Sequence, residues 1–253
     1  MKKTLMIAHE RRSRILDRAA KRLRVEVSEL LKLTGASPAT LRRDLDFLES
    51  RNLVVRVHGA VLHPSTAEGE PSLHLKSRTE VEAKKRIARV AAGMVADGAS
   101  VFLDSGTTCL EVAKFLACRE GLTVITNSLA IAARHESFKA RLVLTGGERR
   151  LLSGALVGRM ASDALAGLRA DIAFVGASGL DAATGPGTTE LGEREVKAAW
   201  VAGARRAVLV CDGSKWESAS TFVFARWAEF DDFVTDRRPP EIRSSKKPKI
   251  HIA

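Results

Sequence analysis

Six short apolar runs limit most tightly what this chain can fold into. They occupy residues 100–103, 122–126, 141–144, 172–175, 207–210 and 233–235, and segments with helical spacing of apolar residues separate them. A strand with one wet face alternates apolar and polar side chains, whereas a run that is apolar throughout is buried on both faces. The spacing therefore predicts a mostly parallel sheet with helices on both sides over residues 81–236, an α/β domain.

The residues just beyond each run point to a ligand. The first is continued by Asp104, Ser105, Gly106, Thr107 and Thr108, then by a helical pattern over 109–116. Small and hydroxylated residues at a helix start present free backbone N–H groups to an anion, phosphate above all. An ordinary capping turn is the plainer explanation. Similar elements close other runs: Thr126-Asn127-Ser128, Thr145-Gly146-Gly147, Gly176-Ala177-Ser178-Gly179 and Asp212-Gly213-Ser214-Lys215. In an open parallel sheet such loops converge on one edge, where ligands bind. Glu193, Glu195 and Lys197 join them from a helix expected after the 185–189 loop. For Lys197 and Lys215, a surface ion pair with Glu193 or Asp212 is the competing reading.

Residues 1–62 show another pattern. An amphipathic helix is expected over 9–23, a short strand at 25–27, and a second helix capped by Ser28 and stopped by Gly35. Ser37-Pro38, a capping hydroxyl before a proline at the first helical position, starts a third helix that runs to Glu49. Within it Leu41, Leu45 and Leu48 form one stripe, and Ala39, Thr40 and Arg43 face away. Two β-prone runs over 53–61, broken near Gly59, make a wing. This order is the winged helix-turn-helix, in which the start of the second motif helix enters the major groove. Arginine there reads guanine or grips a phosphate. Arg42 and Arg43 are so placed, unless they merely pair with Asp44 or Asp46 on a solvated face. Residues 63–80, with Pro64, Gly69 and Pro71, are the expected linker. Residues 237–253, with Pro239, Pro240 and Pro248, are expected to be a mobile basic tail.

The net charge of +11 is concentrated where a polyanion would be met: residues 1–60 hold 14 Lys/Arg against 7 Asp/Glu, and 237–253 hold 6 against 1. A basic head on a near-neutral body suits nucleic acid. Cys109, Cys118 and Cys211, odd in number and without a C-x-x-C pair, argue against a disulfide framework or structural zinc and read as buried small apolar residues. No cofactor or metal is expected. No run reaches the ~18 apolar residues that cross a bilayer, and residues 1–10 lack a signal-peptide core. A cytoplasmic protein without a membrane partner is expected.

Residues 37–60 resemble the reading head of the DeoR family of bacterial regulators. That head carries Ser-x-x-Thr-Ile-Arg-Arg-Asp-Leu-x-x-Leu-Glu and a Leu-x-Arg-x-His-Gly-Gly-Ala wing. Here Ser37, Thr40, Leu41, Arg42, Arg43, Asp44, Leu45, Leu48 and Glu49 match the first element, and Leu53, Arg56, His58, Gly59 and Ala60 the second. Leu41 replaces isoleucine, and one glycine stands where two are common. The elements at 104–108, 126–127, 145–147, 176–179, 193–197 and 212–215 likewise resemble the family's sensor domain, which is similar in fold to ribose-5-phosphate isomerase and glucosamine-6-phosphate deaminase. The resemblance implies contacts from Ser37, Ala39, Thr40, Arg42, Arg43, Arg56 and His58 to double-stranded operator DNA. It also implies a phosphorylated sugar or polyol effector. Ser105, Gly106, Thr107 and Thr108 would hold the phosphate, Asp104 and Asn127 would lie near hydroxyls, and Lys197 and Lys215 would supply charge. Thr126, Gly146, Gly147, Ser178, Gly179, Glu193 and Asp212 complete the expected effector site.

The chain is thus expected to be a repressor or dual regulator of a sugar or polyol catabolic operon, paired as a homodimer or tetramer across symmetric half-sites. The rival is a sugar-phosphate isomerase or deaminase with an added DNA-binding head, for which Asp181, Glu193 and Lys197 are the available acid–base groups.

Overall fold

The computed structural model describes residues 6–253 apart from 23, 52, 58, 63–72 and 219. It divides into two compact units, residues 1–78 and 79–253, with the division inside the 63–80 segment.

The first unit runs α1 (Ala8–Arg22), β1 (Arg24–Glu26), α2 (Val27–Thr34), α3 (Pro38–Glu49), β2 (Val55–Val57), β3 (Ala60–Leu62) and the short α4 (Leu73–Lys76). Its three strands form an antiparallel sheet in the order β1-β3-β2. Leu41, Leu45 and Leu48 of α3 are buried against Ile15, Leu16 and Ala19 of α1, as the apolar stripe requires. The start of α3 is capped from within, because Ser37 Oγ accepts the Thr40 N–H at 3.2 Å and Pro38 needs no acceptor. Gly35 ends α2 at φ 63°, its N–H donating to Leu31 O. Ser28, expected to cap α2, lies inside it instead. The strand β1 runs straight into the helix at Val27 and leaves Glu26 in the capping position without a side-chain cap.

The second unit runs α5 (Val81–Ala92), β4 (Ser100–Leu103), α6 (Thr107–Leu116), β5 (Thr123–Thr126), α7 (Leu129–Ala132), β6 (Arg141–Leu144), β7 (Glu148–Arg149), β8 (Leu156–Val157), α8 (Arg159–Ala166), β9 (Ile172–Val175), β10 (Gly179–Asp181), β11 (Gly185–Thr188), α9 (Leu191–Gly203), β12 (Ala207–Val210), β13 (Phe222–Val223), β14 (Asp232–Thr235) and β15 (Lys249–Ile252). Seven strands form one parallel sheet in the order β15-β14-β12-β9-β4-β5-β6. All six apolar runs lie in it. Alternate residues serve opposite faces: Val101 and Leu103 pack with α5 and α6, while Phe102 packs with α8 and α9 and meets the Trp200 ring at 4.6 Å. The chain winds one way from β4 to β6 and the other way from β9 to β15. The carboxyl ends of β4 and β9 therefore border the switch-point crevice in which open α/β sheets bind ligands.

The 237–253 segment departs from the expected loose tail, because Lys249–Ile252 adds the edge strand β15 to β14 in parallel register. Ile250 packs on the core, and His251 Nε2 meets Asp232 Oδ1 at 2.7 Å while Arg206 Nε meets Asp232 Oδ2 at 2.7 Å. One apolar side chain, a buried carboxylate and a pairing edge outweigh the solubility of the surrounding lysines. Cys109 and Cys211 are buried as expected, but Cys118 is exposed. Among the described residues no helix is long and apolar enough to cross a membrane.

Candidate functional site

On the first unit, Arg42 and Arg43 project from α3 into solvent and make no ion pair among the described residues. Their neighbouring carboxylates are engaged elsewhere. Buried Asp44 accepts Arg11 Nε at 2.6 Å and Arg12 Nε at 2.7 Å, fastening α3 to α1, and Asp46 pairs with Arg56 of the wing. The two arginines are thus left free, against the alternative of a self-paired helix face. Ser37 and Ala39 are exposed and Thr40 is half-buried at the same helix start. Arg56 is committed to Asp46, and its backbone N–H to Glu49. His58 lies outside the described residues.

On the second unit, the β4 run delivers Asp104 to the crevice. Its Oδ2 accepts the Gly176 N–H from the end of β9 at 3.0 Å and pairs with Lys197 Nζ from α9, which also donates to Gly176 O at 3.2 Å. Burial raises the Asp104 carboxyl, opposed by the Lys197 ammonium and the Gly176 N–H. Burial also works against charge on Lys197, but Asp104 and Glu193 outweigh it and hold the ammonium above its ordinary value. Lys197 is therefore a buried ammonium held against the carboxyl ends of β4 and β9.

The turn after Asp104 leads into α6 through Gly106 at φ 130°, with no side-chain cap. The Leu110 N–H is the first to bond back, to Gly106 O, so the amides of Thr107, Thr108 and Cys109 have no acceptor within the helix. Asn127 braces this turn: its Oδ1 accepts the Ser105 N–H at 3.0 Å, and its Nδ2 donates to Leu156 O. Thr126 supports the strand ends, donating to Leu103 O at 2.6 Å. Gly147, at φ 117°, passes so close to β8 that a Cβ would lie 2.7 Å from Val157 O. Asp212 caps the turn that carries Lys215, accepting the Ser214 N–H at 3.1 Å. Two buried carboxylate oxygens, Asp104 Oδ1 and Asp212 Oδ2, find no hydrogen-bond donor among the described residues.

Two family models match, one for the DeoR-like helix-turn-helix domain at residues 11–67 and one for the DeoR C terminal sensor domain at residues 79–237. The chain belongs to the DeoR family. An uncharacterized HTH-type transcriptional regulator of Escherichia coli K12, YgbI, is 35% identical over 94% of both chains. The glycerol-3-phosphate regulon repressor of the same bacterium is 33% identical over 85% of this chain and 86% of its own. A ribose 5-phosphate isomerase of Methanocaldococcus jannaschii aligns at 20% identity with a TM-score of 0.38, over 54% of this chain and 55% of the isomerase.

As a DeoR-family chain the protein is a DNA-binding transcriptional regulator. Its sensor unit brings Asp104, Gly176 and Lys197 into direct contact, and Ser105 into contact with Asn127. Ser178 and Gly179 belong to a neighbouring small sheet, where the Ser178 N–H donates to Gly187 O. Glu193 stands apart from Lys197 as a partner: its carboxylate takes Arg150 Nη1 at 3.0 Å, Ser153 Oγ at 2.6 Å and Thr188 Oγ1 at 3.0 Å. Glu195 is exposed on the opposite side of α9. Lys215 is half-buried and makes no ion pair among the described residues. Neither lysine fits the surface-pair reading. Sequence reasoning missed Arg150, Ser153 and Thr188, whose only signal is that a buried glutamate needs donors.

Proposed function

We propose that this DeoR-family regulator represses a sugar or polyol catabolic operon and is modulated by a phosphorylated sugar or polyol bound in the β4–β9 crevice. One observation carries the reading. The uncapped amides at the start of α6 want an anion, while Asp104 Oδ1 after β4 and Asp212 Oδ2 after β12, two strands along the same sheet edge, want hydrogen-bond donors. A phosphorylated polyol offers both, a phosphate at one end and hydroxyl donors along the rest. Two relatives, a glycerol-3-phosphate regulon repressor and a putative aga operon transcriptional repressor, support a repressor of this kind.

The crevice is read as a sensor without catalytic turnover, because each group that an isomerase would use is engaged. Asp181 holds a turn through the Thr184 and Ala183 N–H groups, which lower its carboxyl. Glu193 is held by Arg150, and Lys197 is an ammonium paired with Asp104. Pairing of two or four chains across symmetric half-sites and action in the cytoplasm complete the proposal.

Thr107→Glu tests it. A carboxylate at the start of α6 would occupy the anion position and repel phosphate. Calorimetry against phosphorylated three- to six-carbon polyols and sugars should detect a ligand for the parent and none for the variant, while both bind the same DNA. A variant that keeps full affinity for the parent's ligand would move the phosphate site elsewhere.

A further inference from the structure

We infer that Arg12 and Arg51, stacked on Phe47, form a seat for one phosphate of the DNA backbone, separate from the arginines at the start of α3. The inference rests on the DNA-binding assignment and extends it to a second contact. The Arg12 guanidinium carbon lies 3.7 Å and that of Arg51 4.2 Å from the centre of the Phe47 ring. Two like charges are thus gathered on one aromatic ring, whose negative faces offset part of their repulsion. Asp44 takes only Nε of Arg12, so the terminal nitrogens of that guanidinium remain for another acceptor. Arg51 meets no carboxylate among the described residues. Arg11 and Arg12 thus share the single Asp44 carboxylate while Arg51 has none, and the cluster keeps an excess of positive charge.

The position of this cluster on α3 says which anion it fits. At about 100° per residue, Phe47 lies only about 40° around the helix from Arg43, and Asp44 about 100° on the same side. Asp46, tied to Arg56 of the wing, lies on the other side. A helix with its side chains is roughly 10–12 Å across and the major groove about 12 Å wide, so both flanks of a reading helix run beside phosphates. If Arg43 faces the groove floor, one flank presents the Asp46–Arg56 pair and the other presents Arg12 and Arg51. The second flank has unneutralised guanidiniums, the planar donors suited to a phosphate. Asp44 therefore acts as a positioning residue: it turns Arg12 onto the ring.

Arg51→Gln is the variant to measure, since it leaves the Asp44 fastening in place and keeps the chain's fold. The probes are a duplex recovered by selection from a random-sequence pool with the full-length protein, and a scrambled duplex of equal length. Losing one phosphate contact should lower the slope of log affinity against log salt by about 0.9, and weaken both duplexes by the same factor, about eightfold near 0.1 M salt. Arg51→Lys should restore the slope, because the charge returns. Unchanged slope and affinity in Arg51→Gln would overturn the proposal. So would a loss confined to the selected duplex, which would make Arg51 a reader of bases. Failure of the parent protein to recover any duplex would instead refute the DNA-binding reading beneath it.

Discussion

Lys197→Met should show how strongly the crevice depends on one buried charge. Lys197 and Asp104 are both nearly inaccessible, at 4% and 1% exposure, and the ammonium is the only cation paired with that carboxylate among the described residues. Removing one partner of such a pair leaves a buried charge uncompensated, a loss of about 3–5 kcal/mol. For a unit of this size that corresponds to a fall in melting temperature of roughly 6–20 °C. The pH dependence is set by the sign of the Asp104 shift. Burial already raises this carboxyl, and without the ammonium nothing but the Gly176 N–H opposes burial. A carboxyl with a raised folded pKa binds its proton more tightly in the native state, so the variant should lose stability as pH rises from the ordinary carboxylate value through the folded one. Adding Asp104→Asn should recover much of the loss, because a neutral pair has no charge to desolvate. Differential scanning calorimetry of the full chain at several pH values reads all three effects. A loss below about 1 kcal/mol, or a double variant no better than the sum of its singles, would refute the coupled buried pair.

Arg43→Ala should cost about 1–3 kcal/mol in binding a selected duplex and much less on a scrambled one, measured by mobility shift, with the melting temperature unchanged. Gly147→Ala combines φ 117° with a Cβ only 2.7 Å from Val157 O, and should destabilise the second unit by about 1–3 kcal/mol in a thermal melt. Purified protein should interconvert no pentose phosphates; sustained turnover abolished by Glu193→Gln would reverse the assignment of that carboxylate to structure.

The sheet was legible because each central strand is covered on both faces and therefore apolar throughout, as at Ile172–Val175. The edge strand β15 was not, because its alternation of Lys249 and His251 with isoleucines is only four residues long and follows prolines and lysines. What makes it a strand is the edge of β14 and the Asp232 carboxylate, both distant in sequence. In the crevice, the Ser105–Thr108 turn was readable from its own residue types, although its brace, Asn127, comes from the end of β5. The Lys197–Asp104 pair joins positions 93 residues apart, and the family pattern named both residues without indicating that they meet. On the first unit, Asp44 and Asp46 sit beside Arg42 and Arg43 in sequence, yet both turn to other elements. Neighbours along a helix compete poorly with arginines brought in from α1 and the wing.

The edge position of β15 also bears on how the chain is made. Until residues 249–252 leave the ribosome, β14 presents a row of unpaired N–H and C=O groups to every other nascent chain nearby. The interval between the appearance of β14 and that of β15 is therefore a period when this margin is open to chaperone capture or to strand exchange with another copy.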